Sequence, residues 1–341
     1  MPRGAYPARP LHPQHGPHNP ADTIPARRPG SARRTSTVDN LRPDGVLGPL
    51  NLRGYARDLV TGTAGATTER TCSLAAEVDF TGGRILTRIE SDPAEPRLSA
   101  LLGARVSAGF RGLVGQAVPD HAARASRLHL LLDDLPVATL VGGYAVGAAT
   151  RRDPGVRAAL QLHPHKGTPD LCAGWRSGGT IMLGIEATGQ APVVTGPVAP
   201  LLEQAADPQG WHHRPNLPPH SVRRARLLDV YAGGDVIEVN SVFRDSHVDE
   251  DGVETVIHEY LVHALIDPES LLVLESVAEV KVLPWVECPA AVGSAGRLVG
   301  RSVRDLRAEV RADFTGISTC THLNDQLRSL ADVPALLDLL A

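Results

Sequence analysis

The side chains of this sequence that are best suited to chemistry lie in the segment Thr319–Arg328, which reads T-C-T-H-L-N-D-Q-L-R. Cys320 stands two residues before His322 at a predicted helix start, which Thr319 or Thr321 can cap. Unpaired N–H groups and the positive end of the helix dipole favour the thiolate, the form that attacks carbon or binds metal. The alternative is a half-buried cysteine on a capped surface helix.

Two further residues could join this pair. His258 lies on the apolar face of a predicted strand, and Cys288 precedes a proline at another predicted helix start. If the helix starts converge on the strand, two thiols and two imidazoles meet, a set that zinc binds tetrahedrally and iron also accepts. We therefore predict a zinc or iron site formed by His258, Cys288, Cys320 and His322, of which Cys320 and His322 are also the candidate catalytic residues. The alternative is that these are separate core residues, because no C-x-x-C pair is present.

Four more residues are candidates for binding a substrate. Arg223 and Arg224 could hold an anionic ligand by paired hydrogen bonds, and structural ion pairs are their alternative role. Asp170 and Cys172 belong to the motif D-L-C-A-G-W, which is rich in reactive residues for a connecting segment.

The acidic segment Asp245–Gly252 invites comparison with a calcium-binding loop. It does not match, because His258 stands where that loop requires a glutamate, and we interpret the segment as a solvated turn. The sequence also contains no G-x-S-x-G, P-loop, dinucleotide-binding or H-E-x-x-H motif. The common classes that these motifs identify are therefore not indicated.

Two functions from different classes remain open. The first is an enzyme that acts on a small anionic organic molecule, with Cys320 or a metal-bound water doing the chemistry and His322 as acid and base. The second is a non-catalytic scaffold that holds a metal or an iron–sulfur cluster and delivers it to a partner protein. A structural module without metal is a third, and the sequence does not decide whether the protein is an enzyme.

The elements that would position these residues occur twice in the chain. Ordered matches recur at an offset of about 190 residues, which indicates an internal duplication. Each copy is predicted to be a three-stranded antiparallel sheet packed with helices, so the fold class is α+β with two pseudo-symmetric copies. The matched segments are Ser31–Asp39 with Ser221–Asp229, Tyr55–Asp58 with Val242–Asp245, Ser73–Leu86 with Leu261–Leu274, Leu101–Gly103 with Leu298–Gly300, and His129–Leu130 with His322–Leu323.

The duplication divides the chain into four regions. Residues 1–30 are rich in proline, arginine and histidine and are predicted to be a disordered tail. Residues 31–149 form a first copy that is structural, and residues 221–341 form a second copy that carries the candidate site. Residues 150–220 are a Pro/Gly-rich connector that could add site residues.

Composition limits the partners and the compartment. The net charge of −4 does not suggest a nucleic-acid partner, and four cysteines in 341 residues suggest a reduced compartment. The most apolar run, Leu135–Ala149, is too short to span a bilayer, and no signal-peptide core is present near the start. We therefore expect a cytoplasmic protein with a small-molecule substrate and no membrane contact.

The C-terminal third resembles the bacterial family known as domain of unknown function 2889. The resemblance lies in the pair His258–Glu259, the pair Cys288–Pro289, the L-V-G segment Leu298–Gly300 and the C-T-H-L segment Cys320–Leu323. The motifs R-R-T-S-T-V-D, L-L-D-D-L-P, D-L-C-A-G-W and R-D-S-H-V-D resemble longer actinobacterial members, which extends the resemblance to nearly the whole chain from Ser31. The resemblance implies no activity.

A more distant similarity is to iron–sulfur scaffold proteins of the NifU type, in which helices follow three strands. This similarity implies ligands at His258, at Cys288 before L-V-G-R-S-V, and at Cys320 with His322. The first ligand is His here rather than Cys, and the closing order is Cys-x-His rather than His-Cys. The similarity therefore implies a metal site more than cluster assembly.

Overall fold

The protein is built around one antiparallel sheet of eight strands, in a computed structural model that describes residues 10–159, 167–204 and 206–341. The order across the sheet is β4-β3-β2-β1-β5-β6-β7-β8, so the chain fills each half outward from the centre. The predicted α+β class is confirmed. The strands are β1 (Ser31–Leu41), β2 (Leu50–Thr61), β3 (Thr67–Asp79), β4 (Ile85–Asp92), β5 (Val222–Tyr231), β6 (Ile237–Val248), β7 (Glu254–Ile266) and β8 (Val273–Val282).

Each half of the sheet has four strands where the sequence predicted three. The prediction was wrong because the central strands β1 and β5 show no apolar alternation, although nearly every residue in them is buried. A strand covered on both faces usually reads as an apolar run. Here arginine, aspartate, serine and threonine occupy many of those buried positions.

The two central strands are joined by a matching pair of buried ion pairs. Arg33 on β1 donates two hydrogen bonds of 3.0 Å to Asp229 on β5. Arg223 on β5 donates bonds of 2.6 and 2.7 Å to Asp39 on β1, at the mirror-image register. The forked geometry offsets the cost of removing these charges from water.

Helices cover one face of the sheet. They are α1 (Phe110–Ala117), α2 (Pro119–Ala123), α3 (Arg127–Val141), α4 (Gly143–Arg152), α5 (Pro154–Ala159), α6 (Thr180–Thr188), α7 (Leu306–Asp313), α8 (Thr321–Ser329) and α9 (Val333–Leu337), with 3₁₀ helices at Pro96–Leu101, Ala173–Trp175, Cys288–Leu298 and Leu330–Asp332. Helix α3 packs on β1–β3 and α8 packs on β7. Arg224 on β5 reaches Asp134 of α3 and Asp325 of α8, so both helices lie on the same face.

The run Arg127–Arg152, which comprises α3 and α4, is long and apolar enough to cross a membrane by length and composition alone. In the fold, 67% of its most apolar window is buried inside the protein. Leu131 and Leu135, for example, are completely buried in the core of the first half. The run therefore has the burial expected of a core helix in a soluble protein.

The later part of the segment 10–30 and part of the connector cover the opposite face of the sheet, whereas residues 12–19 contact the end of β8 and the residues after it. The guanidinium of Arg33 donates hydrogen bonds to the carbonyl oxygens of Pro25 and Gly210, one from each covering segment. The structure thus corrects the predicted disordered tail over residues 10–30, while residues 1–9 lie outside the described residues. A proline-rich segment cannot form a helix, but it can dock in extended form through its backbone carbonyls.

Candidate metal centre

Two neighbouring strands of the second half place a carboxylate beside an imidazole. Asp245 on β6 lies opposite His258 on β7, and the register shifts directly after this pair, so that Ile257 has no partner on β6. Such a bulge bends the strand and redirects a side chain, and bulges are frequent beside active sites. Arg224 on the adjacent strand holds the Asp245 carboxylate with hydrogen bonds of 3.0 and 2.9 Å.

Helix α8 brings a second imidazole to the same place. Helix α8 begins directly after Cys320, which is its N-cap residue in place of the predicted Thr319 or Thr321, and His322 lies in its first turn. The His322 ring stacks on the His258 ring with centroids 3.6 Å apart and an angle of 17°. Its Nε2 lies 3.6 Å from Oδ2 of Asp245. One ligand atom each from Asp245, His258 and His322 lies within 4.8 Å of the other two, close enough to share one metal ion.

Burial keeps both imidazoles neutral. Desolvation is the larger cause and the neighbouring His322 the smaller one that lower the pKa of His258 well below its ordinary value. For His322, desolvation is again the larger cause and the charge of Arg224 the smaller one, and together they lower its pKa to about 3. Nδ1 of His258 is buried without a hydrogen-bond partner. A neutral imidazole with a free lone pair is the form that binds a metal.

The two histidines line a cavity of about 140 Å³. Its wall also contains Cys172, Cys288 and Cys320, so the structure brings all four predicted metal ligands and the connector thiol to one cavity. The remaining lining residues are mostly apolar or aromatic: Tyr144, Ala173, Gly174, Trp175, Ile181, Pro192, Val194, Ile257, Pro284, Trp285 and Thr321. The site is therefore a recess with one polar wall.

The three thiols of this cavity differ from the prediction. Within the described part of the chain they lie outside the group of three ligand atoms, although Sγ of Cys320 is 3.9 Å from Nδ1 of His322. Burial raises the pKa of Cys320 to about 11, and it raises those of Cys172 and Cys288 as well. The expected thiolate at the helix start is thus not favoured, because desolvation outweighs the helix dipole.

The other predicted substrate-binding residues do not reach the cavity. Arg223 is engaged by Asp39, and Arg224 is buried behind the site, where it holds Asp245. Asp170 is exposed and accepts hydrogen bonds from the backbone and hydroxyl of Ser177. Of the four candidates, Cys172 alone lines the cavity. Both arginines therefore hold aspartates, and neither side chain lines the cavity where a ligand would bind.

Asp245 is the site residue that sequence reasoning missed. The interpretation of its segment as a solvated turn was wrong for this residue, because Asp245 is a completely buried strand residue. The sequence contained an indication of this burial, because the matched segments Tyr55–Asp58 and Val242–Asp245 both end in Arg-Asp and so pair Asp245 with Asp58. An aspartate repeated at one place in both matched segments is more easily explained as a buried partner of arginine than as a turn residue.

The first half shows what occupies the equivalent place there. Asp58 on β2 is held by Arg34 with bonds of 2.6 and 2.9 Å, as Asp245 is held by Arg224. It lies opposite Arg70 on β3, at the register position where Asp245 faces His258. Arg127 then donates a further bond of 2.6 Å to Asp58. In the first half, therefore, a second guanidinium satisfies the carboxylate, whereas in the second half two neutral imidazoles face it.

Comparison with known proteins places one segment in relation to a family. The family model described as protein of unknown function (DUF2889) matches residues 222–336, about a third of the chain. The matched segment contains Asp245, His258 and His322. No curated protein and no solved structure matches the chain.

Proposed function

We propose that the protein is a metal-dependent enzyme whose single metal ion is held by Asp245, His258 and His322. The observation that carries the proposal is the convergence of these three ligand atoms beside a cavity. Three protein ligands leave coordination positions open for water or a substrate, and that is the arrangement of catalytic rather than structural metal sites. The cavity would bring the substrate to those positions.

The comparison between the two halves supports a cation at this place. Asp58 accepts hydrogen bonds from two guanidinium groups, Arg34 and Arg127. Asp245 is held by Arg224, the counterpart of Arg34, but another side chain near its carboxylate is the neutral imidazole of His322, 3.6 Å away. A divalent metal between Asp245 and the two imidazoles would restore the missing positive charge.

The donor set favours iron(II) or zinc. Two histidines and one carboxylate with open positions are typical of non-haem iron(II) enzymes, and the same ligands hold catalytic zinc. The thiols of Cys288 and Cys320 are not needed as ligands in this proposal. This differs from the predicted set, in which they completed a tetrahedral zinc site.

The substrate class also changes from the sequence prediction. The case for an anionic organic molecule rested on Arg223 and Arg224, and both are committed to aspartates. We therefore propose a small organic molecule without requiring a negative charge. The metal would polarise an oxygen of the substrate or of a bound water.

A scaffold that delivers a metal or a cluster is the second candidate. The three thiols of Cys172, Cys288 and Cys320 around one cavity favour it, as does the distant similarity to NifU-type proteins.

We also propose that the protein arose by internal duplication, now of a four-stranded unit, and that it is cytoplasmic. The paired ion pairs of the central strands support the duplication.

The test is metal content measured on purified protein after loading with iron(II) or zinc under anaerobic conditions. We expect about one equivalent in the unaltered protein, at least tenfold less in Asp245→Asn and His322→Gln, and no loss in Cys288→Ser. His129→Gln is the matched control, because this first-half histidine is similarly buried and also has a lowered pKa, about 4.

Each outcome of this experiment has a distinct meaning. No metal in the unaltered protein, or equal loss in the His129 variant, would overturn the proposal. Metal lost from Cys288→Ser but kept in Asp245→Asn would support the thiol-bound site of a scaffold instead.

A further inference from the structure

The cavity beside the metal centre has the size of a single ring. Its volume is about 140 Å³, and an apolar protein cavity of about 150 Å³ holds one benzene molecule. The described lining residues include no aspartate, glutamate, lysine or arginine. A charged group would lose its hydration there without gaining a partner of opposite charge, which is costly.

We infer that the substrate group entering this cavity is an uncharged six-membered aromatic ring. This inference rests on the proposed function and names the substrate class for the same site. Trp175 and Trp285 line the cavity and offer aromatic surfaces, while Ile181 and Val194 add aliphatic ones. His258 and His322 form the polar wall, so a hydroxyl or carbonyl substituent on the ring would face the metal ligands.

Two tryptophans in the wall provide a direct binding signal. The chain has three tryptophans, and the third, Trp211, is buried in a separate cluster with Leu202 and Leu227. A ring that enters the cavity should therefore change the fluorescence of Trp175 and Trp285. This readout does not require activity or a bound metal.

The experiment titrates the full-length protein with benzyl alcohol, which is neutral, and with benzoate, which has a similar ring and a negative charge. We expect saturable fluorescence quenching by benzyl alcohol and at least tenfold weaker binding of benzoate. Val194→Phe fills the cavity and should weaken benzyl alcohol binding at least tenfold. Val198→Phe adds the same group to the same connector at a position that is 40% exposed, and should change the affinity less than twofold.

Three results would overturn the inference. They are the absence of benzyl alcohol binding, equal affinity for both probes, and full affinity in a folded Val194→Phe protein. If Val194→Phe does not fold, Ile181→Phe provides the same test from α6. Titrations with and without iron(II) separate the two proposals, because ring binding by a protein that takes up no metal refutes only the proposed metal site. Metal uptake without ring binding refutes only the substrate class.

Discussion

Removing one member of a central ion pair should cost more stability than removing both. Asp39→Leu leaves the Arg223 guanidinium buried without its forked partner, and Arg223 is only 3% exposed. Breaking a buried pair from one side costs about 3–5 kcal/mol. With an unfolding entropy of roughly 2.1 cal/mol/K per residue, the 341-residue chain has a total of about 0.7 kcal/mol/K. The expected fall in Tm is therefore about 4–7 °C.

The paired change Asp39→Leu with Arg223→Met replaces both charges by apolar groups of similar length. It should recover at least half of the loss, because no unpaired charge remains buried. Asp229→Leu, which strands Arg33 at the mirror-image position, should cost about as much as Asp39→Leu. Calorimetry and urea unfolding measure all four proteins.

The reasoning fails if Asp39→Leu costs less than about 1 kcal/mol, or if the double variant is no more stable than the single one. A large difference between the Asp39 and Asp229 variants would show that the two ion pairs are not energetically equivalent. Such a difference would weaken the case for an internal duplication, although it would leave the metal centre untouched.

Two further predictions concern pH and residues 10–30. Burial favours neutral His322 in the folded protein, so its stabilising contribution is present above the unfolded pKa near 6.5 and is lost as pH falls toward about 3. Metal affinity should therefore be nearly constant from about pH 6 to 8, and tenfold weakening in that window would contradict the buried site. Deleting residues 1–20 removes two backbone hydrogen bonds, from Val286 N–H to the Gln14 carbonyl and from Leu283 N–H to the Pro17 carbonyl. It also removes the His12 ring, which contacts the edge of the Trp285 ring. Tryptophan emission should shift to longer wavelength as Trp285 becomes more exposed. An unchanged spectrum would show that residues 1–20 do not shield Trp285 from water.

The layout of the second half was predictable because its outer strands follow ordinary patterns. Apolar residues alternate along β7, and the residues D-P-E-S between β7 and β8 are typical of a turn. Leu323, Leu327 and Leu330 recur at helical spacing, which predicts the helix that follows Cys320. Cys288, Cys320 and His322 stand at helix starts and His258 stands beside the bulge inside β7, and all four line one cavity.

The features that were missed depend on burial, which composition does not show. Strands β1 and β5 are covered on both faces. In the sequence their arginines and aspartates look like surface residues, because the ion pairs that join the two strands are visible only in the structure. The thiol of Cys320 was expected to be acidic from its helix position alone, and burial instead raises its pKa. Both errors arise from judging a charge or a thiol without its surroundings.

The contrast between Asp58 and Asp245 shows how small a change could create a metal centre on this sheet. Both aspartates are held by an arginine of the neighbouring central strand, at the same register. Pairing on the outer side of Asp58 continues without a shift, whereas a bulge follows Asp245. Asp58 lies opposite Arg70 and accepts a hydrogen bond from Arg127. Asp245 instead lies opposite His258 and beside His322, so two neutral imidazoles face its carboxylate. The sheet supplies the carboxylate in both halves, and in the proposed metal site the bulge together with the start of α8 would decide which half binds the ion.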